Sequence, residues 1–253
     1  VPLLPLADDE RSRDVSHEVM ERWRGFVQKV TGRLTEIMNE SNAGFEGLLA
    51  DPQLDPITFT NAMNAIEIRY KDLRSKLAST YSEQVVAPTT FGGRGEAEKL
   101  LHEAETWMED SWERFRTGWN GRLVRSVWAR AQPLMYRAVS CSRCGGPLTR
   151  TIFHQAESVT CGACKAVNSV SPDPLVYTYF AMAPDLIADE QTIGLKLAAE
   201  RAQHRGAGWG EVERLYRQYW EAYGKARASI APTTPEELQR FIDSRMKMLA
   251  MYR

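Results

Sequence analysis

The chain has 253 residues, of which 43% are hydrophobic and 26% charged, the balance of a folded globular protein and not of a disordered one. Its 32 Lys and Arg against 33 Asp and Glu leave a net charge of −1, which gives no global attraction to nucleic acid or an anionic membrane. No stretch approaches the ~20 apolar residues of a membrane helix, and the best candidate, Leu175 to Ala183, is about half that length. The opening Val1-Pro-Leu-Leu-Pro-Leu reads poorly as a signal peptide, having two prolines and no basic leader.

From Asp14 to about Ile37, apolar residues recur at Val19, Trp23, Phe26, Val30, Leu34 and Ile37. Steps of three and four line one face of a predicted helix. Asp51 to Pro56 reads as a turn, with Asp55 as N-cap and Pro56 at the first helical position of the next helix. That helix, Ile57 to about Tyr81, carries Phe59, Met63, Ile66, Tyr70, Leu73 and Leu77, a heptad seam of coiled-coil type. The two helices are expected to form an antiparallel hairpin over 1–85. A linker is predicted over 86–95, where Pro88 and Phe91-Gly-Gly-Arg-Gly punctuate the chain. A long central helix follows within 96–138, roughly 50 Å at ~1.5 Å per residue, and Pro133 should end or kink it. A small cysteine module is expected over 139–171, with strands at Leu148 to Phe153 and Ser158 to Thr160 pairing between the cysteine pairs. Over 172–253 three helices should pack on the bundle, near Leu175–His204, Trp209–Ser229 and Pro235–Tyr252. Thr234, Pro235 and Glu237 spell a capping box at the start of the last.

The module holds all four cysteines of the chain, as Cys141-x2-Cys144 and Cys161-x2-Cys164 with sixteen residues between the pairs. That spacing suits a four-thiolate zinc site. Gly145, Gly146 and Gly162 beside the sulfurs let backbone N–H groups turn toward them. Four soft ligands at tetrahedral reach favour Zn2+ and leave no position for water or substrate, so the metal is expected to be structural. Iron in the same cage and a redox-active pair are the other readings. Neither pair opens a βαβ pattern. The segment resembles the zinc-ribbon class, including its rubredoxin-like knuckles, over about residues 139–171 only. The resemblance implies Cys141, Cys144, Cys161 and Cys164 as metal ligands, with Lys165 departing from a glycine common in the second knuckle. His154, between the knuckles, is expected on the surface of the module. Four paired cysteines favour a reducing compartment over a disulfide framework, hence a cytoplasmic expectation.

The long helix is split in charge. Glu96 to Glu113 holds seven acids and one base, whereas Arg114 to Ala156 holds eight arginines and no acid. Arg114, Arg122 and Arg125 share one narrow face, while Trp112, Trp119, Leu123 and Val127 take the opposite side; Arg130 follows in the same basic half. These four arginines are the candidate face for an anionic partner. Internal pairing with neighbouring helices, or antiparallel self-association, would use the same charges.

Familiar catalytic signatures are missing: no H-E-x-x-H, no Gly-x-Ser-x-Gly, no Walker loop, and no Glu three residues ahead of a histidine. Gly206-Ala-Gly208-Trp-Gly210 follows no predicted strand and reads as a helix stop, a turn and a helix start. The fold expected is mostly α, a helical bundle with a long central helix and an inserted small β-hairpin zinc ribbon. The function expected is a non-enzymatic scaffold or adaptor acting on a protein partner. Nucleic-acid binding through the arginine half is the alternative, and an enzyme with dispersed catalytic residues comes third.

Overall fold

The computed structural model describes residues 7–86, 91–231 and 233–251, which form six helices and four short strands. In chain order these are α1 (Ala7–Ala50), α2 (Pro56–Thr80), a π-helical turn (Tyr81–Val85) and α3 (Phe91–Met135). Then come β1 (Val139–Ser140), β2 (Pro147–Leu148), β3 (Glu157–Thr160), β4 (Val167–Val170), α4 (Pro174–His204), α5 (Trp209–Ala228) and α6 (Pro235–Ala250). The mostly α architecture with an inserted small hairpin module is as the sequence predicts. The chain divides into two compact units, Val1–Arg116 and Thr117–Arg253. The division falls inside α3.

The first unit is a three-helix arrangement built on the predicted periodicities. Val19, Trp23, Val30, Leu34 and Ile37 of α1 are buried, as are Phe59, Met63, Tyr70 and Leu77 of the α2 seam. Ring contacts at opposite ends fix α1 and α2 as antiparallel: Phe45 lies 4.8 Å from Phe59, and Trp23 lies 5.7 Å from Tyr81. Asp55 caps α2 by accepting from the Ile57 N–H at 3.0 Å, with Pro56 at its first position. Helix α1 runs 13 residues past Ile37 despite Asn and Gly in that stretch, because Phe45 is buried against Phe59 and Phe115. Tertiary burial overrides weak local propensity there.

Helix α3 starts at Phe91, within the span 86–95 read as a linker; of that span, 87–90 lies outside the described residues. Just inside the helix, the Trp23 indole N–H donates to the Ala97 carbonyl at 3.2 Å and Arg24 pairs with Glu96. Such contacts across 70 or more residues outweigh the low helix propensity of Gly92, Gly93 and Gly95. Tyr70 stacks on Trp112 at 5.3 Å, so the acidic half of α3 runs back along α2.

In the second unit α3 lies antiparallel to α4, with Arg125 on Glu190 and Trp128 4.6 Å from Tyr179. Helix α4 begins at the Asp173 cap, whose side chain accepts from the Leu175 N–H at 2.9 Å. It ends at Gly206, φ +70°, where Gly206 N–H bonds the Gln203 carbonyl (3.1 Å) and Ala207 N–H the Ala202 carbonyl (3.0 Å). This pair of bonds is a Schellman stop, the helix end read from Gly206 in the sequence. Helix α5 returns along α4, burying Tyr219, Tyr223 and Ala226 against Ala188. Helix α6 opens with the predicted capping box, Thr234 and Glu237 bonding reciprocally at 3.2 and 3.0 Å. Gly224 lets α5 and α6 approach, since a Cβ there would stand 2.3 Å from Leu238 Cδ1.

The units carry opposite charge. The first holds 21 acidic and 14 basic side chains, net −7; the second holds 12 acidic and 18 basic, net +6. The net charge of the whole chain conceals both values.

Candidate metal centre

Each Cys-x2-Cys pair is itself a chain reversal. In the first, Cys141 N–H donates to the Gly146 carbonyl (2.8 Å) and Gly145 N–H to the Cys141 carbonyl (2.9 Å). In the second, Cys161 N–H donates to Ala166 (2.9 Å) and Lys165 N–H to Cys161 (3.0 Å). The residue after each pair sits in the left-handed region, Gly145 at φ +72° and Lys165 at φ +61°.

Because the turns lie at the cysteines, the strands pair across them. β1 runs antiparallel to β2 with Val139 opposite Leu148, and β3 antiparallel to β4 with Glu157 opposite Val170. The predicted pairing of Leu148–Phe153 with Ser158–Thr160 does not form. Instead residues 150–157 wrap around one ion pair. The Arg150 and Glu157 side chains, 8% and 10% exposed, meet at 3.2 Å. Arg150 Nη2 donates to the carbonyls of Ile152 (3.0 Å), Phe153 (3.4 Å) and Gln155 (3.2 Å). Glu157 accepts from the Thr151 hydroxyl (2.9 Å) and from the Thr151 and Ile152 N–H groups (both 3.3 Å). Backbone groups spent on these two side chains are lost to a strand ladder. Burial alone would raise the Glu157 carboxyl, but its donors hold it below the usual carboxylate range.

The two hairpin tips bring all four sulfurs together, every Sγ within 4.8 Å of the others. Close approaches run between the knuckles, Cys141 to Cys164 and Cys144 to Cys161, each 3.6 Å. A disulfide needs ~2.05 Å. A tetrahedral ion with bonds of ~2.3 Å to sulfur sets its ligands about 3.8 Å apart, so the observed cluster fits a single tetrahedral cation. Gly146 lies against this cluster, where a Cβ would stand 3.4 Å from Cys144 Sγ and 3.9 Å from Cys161 Sγ.

The electrostatics of the thiols point the same way. The N–H groups of Cys144 and Arg143 pull Cys141 down to about 6, and those of Cys164 and Ala163 lower Cys161. Cys164 takes an N–H bond from Ala166, yet the Cys144 thiol, burial, and the Cys141 and Cys161 thiols outweigh it and push Cys164 up to about 12. The leading cysteines of both knuckles are thus shifted toward the thiolate form, and gathering four anionic sulfurs in one place would call for a cation.

Asn168, 6% exposed on β4, was not singled out by sequence reasoning. Its Oδ1 accepts from the Ser142 N–H (2.9 Å) and hydroxyl (3.0 Å), and its Nδ2 donates to the Ala166 carbonyl at 3.1 Å. It also bonds the Cys141 thiol and lowers it further. One amide thus ties the second hairpin to the first knuckle, as an outer-sphere residue orients a metal ligand. A lone Asn three residues past a Cys-x2-Cys pair and its following residue carries no sequence signal for this.

Ring contacts seat the module on the second unit. His154, expected at the surface, is half-buried with its ring 4.8 Å from Phe180 of α4, and Phe153 lies 5.4 Å from Tyr136. The arginine candidates are scattered in role. Arg114 is exposed and belongs to the first unit, the other three to the second. Arg122 lies 4.1 Å above the Trp119 ring. Arg125 forms a two-pronged pair with Glu190, both contacts 2.6 Å, and Arg130 is half-buried. Gly121 makes room for the Glu190 carboxylate, which a Cβ there would meet at 2.2 Å. Trp112, Trp119, Leu123 and Val127 are buried, as their face predicts. No helix among the described residues is long and apolar enough to cross a membrane.

No protein-family profile matches the chain, and comparisons with curated proteins and with solved structures returned no match.

Proposed function

We propose that Cys141, Cys144, Cys161 and Cys164 hold a structural Zn2+ and that the protein is a non-enzymatic scaffold presenting this ribbon to a protein partner. The observation that carries the reading is the four-sulfur cluster with 3.6 Å approaches between the knuckles. Four thiolates complete a tetrahedron, leaving the ion no position for water or substrate. Zinc suits the donor set because it asks for tetrahedral sulfur and brings no redox chemistry. A ribbon this small lacks core of its own, so the ion would hold it rigid for display.

A second reading rests on a separate observation. The net charge of +6 on the second unit, with no acid from Arg114 to Ala156, favours phosphate contacts and hence nucleic acid. Arg125 and Arg150 weigh against it, since both already face carboxylates.

Metal content separates the first claim: the purified chain should carry about one zinc, and Co2+ substitution should give a tetrahedral thiolate spectrum. Capture of the intact chain with and without nuclease tests the second. A partner that resists nuclease and is lost with Cys161→Ser supports display by the ribbon. Recovery that collapses with nuclease transfers the assignment to nucleic acid.

A further inference from the structure

The first unit holds a cavity of about 550 Å3 between α1 and the end of α2, within the size range of small-molecule sites. Among the described residues its apolar wall is Val19, Trp23, Phe26 and Val85, with Thr80 and Gln84 opposite α1. Two local irregularities border it. The chain forms a π-helical turn at Tyr81–Val85, where Val86 N–H reaches the Tyr81 carbonyl at 3.1 Å. Such wide turns are uncommon and concentrate at functional sites. The other is Gly25, inside α1 and on the cavity wall, where an added Cβ would meet nothing within 4 Å. A helix-interior glycine is unfavourable relative to alanine; the same open space among the described residues surrounds Gly32, Gly44 and Gly47 of α1, so what sets Gly25 apart is its place on the cavity wall.

Charge completes the description. Arg22 and Lys29, two turns apart on α1, are both exposed and both line the cavity. Arg22 has only a loose, solvent-exposed contact with Glu18 at 3.8 Å, of little energetic weight. No carboxylate is among the described lining residues. An apolar wall with hydroxyl and amide groups facing it and cations at its edge complements a ligand with an apolar body and one acidic group.

We propose that this cavity binds an amphipathic organic anion of fatty-acid size, its apolar body against Trp23, Phe26 and Val85 and its acid group between Arg22 and Lys29. The site lies in the first unit and uses no cysteine, so it stands or falls independently of the zinc reading.

The test is calorimetric titration of the full chain with decanoate, and with decanol as the uncharged match. Decanoate should bind at one site per chain. Gly25→Phe, which adds a bulky ring at a helix position on the cavity wall, should weaken binding by about tenfold or more. The exposed double substitution Arg22→Gln, Lys29→Gln should weaken decanoate by about two- to fivefold per cation and leave decanol unchanged. Absence of saturable decanoate binding at millimolar concentration overturns the assignment, as does undiminished binding by Gly25→Phe. If the double substitution shifts decanol and decanoate alike, the anionic character is wrong.

Discussion

The two knuckles make the same turn from different residues. Both close with a pair of backbone hydrogen bonds of 2.8–3.0 Å around the leading cysteine. Yet the first places glycine in the left-handed position and the second places Lys165 there. The first is backed by two-residue strands and by Asn168 reaching across from β4, the second by four-residue strands. Geometry is thus dictated by the sulfurs and the N–H groups around them, while the backbone penalty is carried differently in each half. In the second knuckle the Lys165 ammonium reaches the Gly162 carbonyl at 3.0 Å, and the longer ladder supports a conformation that an L-residue disfavours by about 1–2 kcal/mol.

The strongest way to break the comparison is to remove a ligand. Cys161→Ser should abolish zinc binding and unfold the ribbon while most of the far-UV helical signal survives, because the α1–α2 and α4–α5 cores contain no sulfur ligand. Loss of the entire helical signal would sink that separation. Next in size, Asn168→Leu should lower zinc affinity by about 10–100-fold in a chelator competition, since it strips the first knuckle of a partner supplied by the second.

Acid should act through the same sulfurs. Zinc must displace the proton that Cys164, pushed up to about 12, holds at neutral pH. Affinity therefore falls as pH falls, and the dependence should steepen below about 6, where Cys141 also regains its proton. Affinity independent of pH from 8 to 5, measured in the same competition, would contradict four-thiolate ligation. The smallest effects sharpen the contrast between the halves. Gly145→Ala should destabilise the ribbon by about 1–2 kcal/mol. Lys165→Gly should stabilise it by at most ~1 kcal/mol, reduced by the added freedom of the unfolded chain. Substitutions of opposite sign at equivalent positions, read as shifts in the midpoint of chelator-induced unfolding, would establish the asymmetry.

How legible this was depends on sequence distance. Asp55–Pro56, Thr234–Glu237 and Gly206 announce helix ends through contacts within five residues, and each end is found where the residues place it. The heptad seam of α2 and the four cysteines were equally open to inspection, since period and spacing are local patterns. Contacts across long separations were not. The onset of α3 at Phe91 depends on Trp23 and Arg24, and the extension of α1 depends on Phe45 meeting Phe59 and Phe115. The expected pairing of Leu148–Phe153 with Ser158–Thr160 does not form because each Cys-x2-Cys pair is itself the turn and its own flanks pair across it. Arg150 and Glu157 lie seven residues apart with no pattern that announces their pairing, and their burial against each other is what replaces the expected strand.

The unit boundary at Arg116 also gives the molecule a strong electrical asymmetry. A chain with pI ≈ 6.5 is ordinarily expected to approach neutrality evenly over its surface. Here −7 resides on one unit and +6 on the other. Near its isoelectric pH, where net repulsion between molecules vanishes, unlike units of different copies still attract over the Debye length, ~30 Å at 0.01 M salt against ~10 Å at 0.1 M. Solubility near neutrality is therefore expected to rise with added salt, and retention on an ion exchanger to follow the charge of one unit and not the total.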